Sequence, residues 1–172
     1  MQKTQIIKSW QKKKIKKIKK SLTNGLSSDD INSLLNHVFN FVGVFPQNGL
    51  RYIKYVKIPF SLIVNTDNDS KPGLHWIAIF VTKKKVEICD SFGFKPNKWS
   101  DYPIHISLFL ARFLHKRRLV ISPQIQSESS KLCGFYAILF ILFRQNLTFR
   151  QFLNQFSSNF RANDRLVYSY FS

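Results

Sequence analysis

Acidic side chains are scarce in this chain: 9 Asp and Glu stand against 27 Lys and Arg, a net charge of +18 over 172 residues. That imbalance favours polyanionic partners, nucleic acid first, with anionic membrane surfaces or acidic proteins behind. Cysteine is scarce too. Only Cys89 and Cys133 are present, and no apolar stretch follows the basic N-terminus to form a secretion signal. Together these argue against a disulfide framework and for a reducing compartment. Two distant cysteines without paired Cys/His spacing make no zinc ligand set, and no metal or cofactor is expected. Long hydrophobic runs are also missing. The most apolar stretch, from Cys133 to Phe143, is about half of what a membrane-spanning helix needs. A soluble intracellular protein with no membrane partner is the expectation.

Aromatic residues, by contrast, make up 15% of the chain and include 17 Phe. A chain of this size buries about 70% of the surface its unfolded form exposes, so one domain with a substantial core is expected. Residues 1–25 form a separate basic arm. Lys3, Lys8, Lys12, Lys13, Lys14, Lys16, Lys17, Lys19 and Lys20 all precede the first acid, Asp29. Ile15, Ile18 and Leu22 recur at helical spacing, but repulsion between neighbouring lysines leaves such a helix frayed unless a polyanion is bound. The arm reads as a solvated tail, a nuclear-import signal or a DNA-binding arm, and "KKKIKKIKK" does not separate them. Lys12, Lys13, Lys14, Lys16, Lys17, Lys19 and Lys20 are its candidate nucleic-acid contacts. Lys116, Arg117 and Arg118 form a second basic cluster.

The folded domain is expected over residues 26–172. Ser27 or Ser28 caps a helix whose apolar face is Ile31, Leu34, Leu35, Val38 and Phe39, and His37 on it reads as a surface residue. After Pro46, "RYIKYVKIPFSLIVN" reads as extended. "LHWIAIFVTKKKVEICD" holds two apolar runs around a lysine turn and is the clearest hairpin signal, with "WIAIFV" covered on both faces. Ile104 to Leu114 is helical, "RLVISPQIQ" is a short strand, and the run after Cys133 is apolar all round, hence a buried helix. Phe149, Phe152, Phe156 and Phe160 form a stripe at helical spacing and read as core.

Cys133, at the junction in "SESSKLCGFYAILFILF", reads either as a small buried side chain or as a nucleophile at a helix N-terminus. A nucleophilic thiol needs its proton removed and its thiolate stabilised, which a histidine and a helix N-terminus both provide. His75 opens one strand of the hairpin and Asp90 ends the other, so antiparallel pairing brings them together, with Trp76 expected on the face opposite His75. A carboxylate there fixes the imidazole tautomer and stabilises the imidazolium. Gln126, in the segment leading to Cys133, can join the Cys133 backbone N–H in an oxyanion hole. His105 and His115 lie in a helix and a basic cluster, and Cys89 sits inside a strand, where it should be inert.

"GLHW", "CDSFGF", and Gln126 followed by Cys133–Gly134, in that order, resemble the adenovirus-type cysteine proteases, the adenain family, and their relatives in adenovirus-like mobile elements. The resemblance covers about residues 26 to 145 and implies an α+β fold, a mixed central sheet flanked by helices, shared with SUMO-deconjugating proteases. It implies His75 as base, Asp90 as its orienter, Gln126 as oxyanion donor and Cys133 as nucleophile. It further implies a monomeric endopeptidase of the host nucleus and virion that processes viral capsid and core precursor proteins. Double-stranded DNA, and in some members a viral peptide, act as activators. Two departures are visible. Asp90 stands where adenovirus enzymes commonly carry Glu, a choice shared with the SUMO-deconjugating proteases, and Cys89 does not match the position that links an activating peptide by disulfide. A SUMO- or ubiquitin-like deconjugating protease and a non-catalytic DNA-binding virion protein are the alternative functions.

Overall fold

The computed structural model describes residues 25–54, 56–94 and 101–172. The basic arm before Gly25 lies outside the described residues. A five-stranded mixed sheet forms the centre, with β1 (Phe41–Pro46), β2 (Phe60–Asn65), β3 (Trp76–Val81), β4 (Lys85–Cys89) and β5 (Arg118–Ile121) in sequential order. The outer pairs β1–β2 and β4–β5 are parallel, and the inner pairs β2–β3 and β3–β4 are antiparallel.

Helices cover both faces, which explains why β2, β3 and β4 read as nearly unbroken apolar runs. On one face lies α2 (Ile104–Leu114), whose Ile106, Phe109, Leu110 and Phe113 pack on Leu62, Val64, Ile77, Ile79 and Ile88. On the other lies α3 (Cys133–Phe143), buried along most of its length against Ile63, Ala78, Phe80 and Cys89. The flanking helices α1 (Ser28–Leu35), α4 (Phe149–Leu153) and α5 (Phe160–Phe171) enclose α3. No helix among the described residues is long and apolar enough to cross a membrane.

Local signals were decisive at several boundaries. Ser27 caps α1 through a reciprocal arrangement: its hydroxyl accepts from Asp30 N–H while the Asp30 carboxylate accepts from Ser27 N–H. The hairpin, the Ile104–Leu114 helix and the buried helix from Cys133 all stand where the pattern put them. Three expectations are corrected. α1 stops at Leu35, and Phe39, 78% exposed, lies past its end beside Asn40, whose φ is +63°. The segment after Pro46 first makes a 3-10 helix, Gln47–Tyr52, before β2 begins. The Phe stripe is broken as well. Phe149 and Phe152 sit on α4, Phe156 follows it and packs on Phe152 and Tyr136, and Phe160 opens α5. The three-to-four spacing continued across a turn that interrupts the helix.

The end of α3 is fastened to the sheet by a buried ion pair. Arg144 Nε donates to Glu87 Oε2 at 2.7 Å, the guanidinium lies over the Phe80 ring, and Nη1 donates to Leu147 O. Glu87 is 3% exposed, so removing only its partner strands a buried charge. Arg144→Met should therefore lower stability by about 3–5 kcal/mol, and the double variant Glu87→Leu/Arg144→Met should recover most of that loss in denaturant unfolding.

Candidate active site

The sheet order sends several chain segments to one edge. β3 begins where its antiparallel neighbours β2 and β4 end, and β5, parallel to β4, ends there as well. His75 immediately precedes β3, Asp90 immediately follows β4, and Gln126 lies beyond β5 on the way to α3, whose first residue is Cys133. His75, Asp90 and Cys133 thus meet at one place, and Gln126 lies on the loop that leads to it.

His75 Nε2 donates to Asp90 Oδ1 at 2.9 Å. The same carboxylate oxygen accepts from Phe92 N–H, while the Asp90 backbone exchanges hydrogen bonds with Ser122 Oγ in both directions. Asp90, 2% exposed, is therefore fixed through both its side chain and its backbone. The Phe92 ring lies 4.7 Å from the imidazole. Behind it, Gly93 takes φ +67°, and a Cβ there would stand 2.1 Å from the Gln124 backbone nitrogen, so no other residue fits the turn. The "CDSFGF" turn is shaped by that close approach.

Burial opposes charging of His75, but the hydrogen bond to Asp90, the attraction of its carboxylate and the Cys133 sulfur close by outweigh it and raise the imidazole from 6.5 to about 9. Nε2 is taken by Asp90, and the buried Nδ1 has no hydrogen-bond partner of its own. Nδ1 is thus the nitrogen left to serve the Cys133 thiol. Cys133 is partly exposed at the start of α3, where first-turn N–H groups lack intrahelical partners. Cys89, by contrast, is buried, and that burial, with the Asp90 charge beside it, pushes its thiol strongly up.

Trp76 does not turn away from this cluster. Its indole N–H donates to Leu26 O at 3.0 Å, and a Cβ on Gly134 would come within 3.2 Å of its ring. His75 lies outside the regular strand, so strand alternation does not separate the two side chains. Gly134 admits the packing of Trp76 and Leu26 against the first turn of α3.

Gln126 is fully buried, and its Nε2 donates to Ser130 O at 2.8 Å and to Ser130 Oγ at 3.2 Å. Its segment is held from α5: Asn163 Nδ2 donates to Ile125 O, and Asp164 accepts from Ser127 Oγ and the Tyr136 hydroxyl. In the second basic cluster, Arg117 is committed to Thr82 O and Phe113 O, while Lys116 and Arg118 are exposed. The lysines of the arm lie outside the described residues. Sequence reasoning missed Ser91, Ser122, Asn163 and Asp164, which hold the site together. Ser91 and Ser122 stand next to or near singled-out residues, but nothing in a single chain distinguishes such serines from loop formers.

The raised His75 value has a sign. The fold favours the imidazolium, so this stabilisation is complete below the ordinary 6.5 and is lost as pH rises through about 9. NMR titration of the imidazole should place His75 near that upper value in the wild type and distinctly lower in Cys133→Ser, which removes the sulfur beside the ring. An unchanged value in the variant would show Asp90 acting alone.

A model of the adenovirus endoprotease family matches residues 41–155, which covers all four residues of the cluster. A cysteine protease of African swine fever virus is 27% identical over 154 residues, 79% of this chain and 54% of that protein. The protease of Fowl adenovirus A serotype 1 is 29% identical over 122 residues, 66% of this chain and 59% of the relative. The chain spans between half and two thirds of the length of these curated relatives. A crystal structure of an African swine fever virus protease is similar in fold, with a TM-score of 0.53 at 18% identity over 85% of this chain and 67% of that one. The match runs from the first strand through the His75–Cys133 cluster to α4, and on it this chain belongs to the adenovirus endoprotease family.

Proposed function

We propose that the chain is a cysteine endopeptidase. The observation that carries this reading is the half-buried imidazole of His75, held on Nε2 and raised by Asp90, with Cys133 adding to that rise and Nδ1 otherwise unpartnered. In this reading the Cys133 thiolate, paired with the His75 imidazolium, attacks the scissile carbonyl carbon. The resulting oxyanion takes hydrogen bonds from the Cys133 backbone N–H and from Gln126 Nε2. The 3.2 Å contact with Ser130 Oγ is the longer of the two that Nε2 makes, and it is the one exchanged for the substrate oxygen. His75 then protonates the leaving amine, which departs to leave a thioester. The imidazole next takes a proton from water, and the hydroxide formed attacks the thioester and regenerates the thiol. Asp90 holds the ring in place through both halves of the reaction.

Viral precursor proteins are the substrates in this reading, processed in the host nucleus and the virion, and the net charge of +18 supports stimulation by double-stranded DNA. Any activating peptide binds without a disulfide, since Cys89 is 1% exposed. Asp90 in place of Glu favours a second reading, a SUMO- or ubiquitin-like deconjugating protease. Rapid labelling of Cys133 by a vinyl-sulfone derivative of such a modifier, with indifference to precursor peptides, would select it.

Cys133→Ala and His75→Ala should abolish cleavage of a fluorogenic Gly-containing peptide without unfolding, and Gln126→Ala should reduce kcat by about 10²–10³. An alkylating probe followed by mass spectrometry should label Cys133 well ahead of Cys89. Peptide cleavage by the Cys133→Ala variant would end this reading.

The DNA expectation is tested separately by salt titration. Log K should fall by about 0.9 per log unit of salt for each duplex phosphate neutralised. Deletion of residues 1–20 should flatten that slope, and an unchanged slope would remove the arm from the DNA interface.

A further inference from the structure

We infer that Ser91 is a positioning residue: its hydroxyl, together with the Ser130 carbonyl, fixes the direction of the Gln126 amide and so aims the oxyanion donor. The inference rests on the reading of Gln126 as that donor. A primary amide has two ends of nearly equal size and opposite chemistry, and a buried one needs a partner that tells them apart. One end of Gln126 lies 2.8 Å from Ser130 O, a carbonyl that only accepts, so this end is Nε2. The other end is therefore Oε1, and it lies 2.6 Å from Ser91 Oγ. A hydroxyl serves either role in isolation. Here the carbonyl at the far end leaves it only one, and Ser91 donates.

The backbone of the same residue reinforces the arrangement. Ser91 O accepts from both Ile125 N–H and Gln126 N–H at 2.9 Å. Ser91 is 2% exposed and Gln126 fully buried, so water does not readily replace the hydroxyl. Ser91 also follows Asp90 directly, so consecutive residues of one turn hold the imidazole and the amide. Without the hydroxyl, Oε1 is buried without a donor, and the amide rotates or shifts to find one. The backbone hydrogen bonds do not involve the side chain and persist in Ser91→Ala, which isolates the hydroxyl from the loop it sits in.

The test is a double-mutant cycle on the full chain, with a fluorogenic Gly-containing peptide as substrate and the matching peptide aldehyde as a tetrahedral mimic. Ser91→Ala should lower kcat about tenfold with KM little changed, and weaken the aldehyde by a similar factor. On a Gln126→Ala background the same change should have no further effect. The rate at which iodoacetamide alkylates Cys133 should stay at the wild-type level, because that displacement develops no oxyanion. Ser91→Thr keeps the donor and should retain kcat within about twofold of the wild type. Equal kcat in the alanine and threonine variants, or an undiminished effect of Ser91→Ala on the Gln126→Ala background, would overturn the role of Ser91. A wild-type protein that neither cleaves the peptide nor binds the aldehyde, yet alkylates normally, would instead overturn the catalytic reading on which the inference stands.

Discussion

The hydrogen bond from His75 Nε2 to Asp90 Oδ1 joins the residue before one strand to the residue after its neighbour, and much of the architecture serves to keep it closed. It forms only because β3 and β4 pair antiparallel with Ala78 opposite Cys89, a register that carries the flanking residues to the same sheet edge. A one-residue slip would turn the apolar set of both strands toward the wrong layer, and two different hydrophobic layers oppose that. The burial that makes the register robust also desolvates the imidazole, and the carboxylate offsets that penalty. Stability and site electrostatics are here one constraint.

The second constraint is the placement of α3. A helix apolar on every side has no preferred solvent face, so packing alone leaves its rotation and axial position loosely set. Polar contacts at its two ends supply what its surface lacks. At the C-terminal end the Arg144–Glu87 pair anchors it to β4. Near the N-terminal end, Trp76 and Leu26 close over Gly134, and Tyr136 reaches Asp164 on α5. The thiol is thus held by fixed polar points around a helix that would otherwise be free to slide.

Hydrophobic pattern made the sheet's central hairpin, α2 and the buried helix legible from the chain alone, because each is long, strongly patterned and capped or bounded by turn residues. The candidate cluster was readable for a different reason: His75, Asp90 and Cys133 each stand at an element end that topology brings together, while Gln126 sits in the loop before α3. What escaped notice lacks periodicity. The 3-10 helix Gln47–Tyr52 is a short local choice that tertiary packing decides. The stripe from Phe149 to Phe160 kept its spacing across a break, since a turn between two short helices can preserve the face on which aromatic rings meet. Ser91, Asn163 and Asp164 act through hydrogen bonds between segments distant in sequence, and such partners have no signature in a single chain.

The depth of Cys89 carries a redox consequence. An exposed catalytic thiol is vulnerable to peroxide, and in many redox-tolerant proteins a second thiolate condenses with the first sulfenic acid and stops further oxidation. This chain has two cysteines. Cys89 is 1% exposed beneath α3, and burial holds it in the thiol form that does not attack a sulfenic acid. Protection of an oxidised Cys133 therefore falls to small thiols from solution. The burial that holds Cys89 in its thiol form also leaves Cys133 without a second thiolate from this chain against irreversible oxidation.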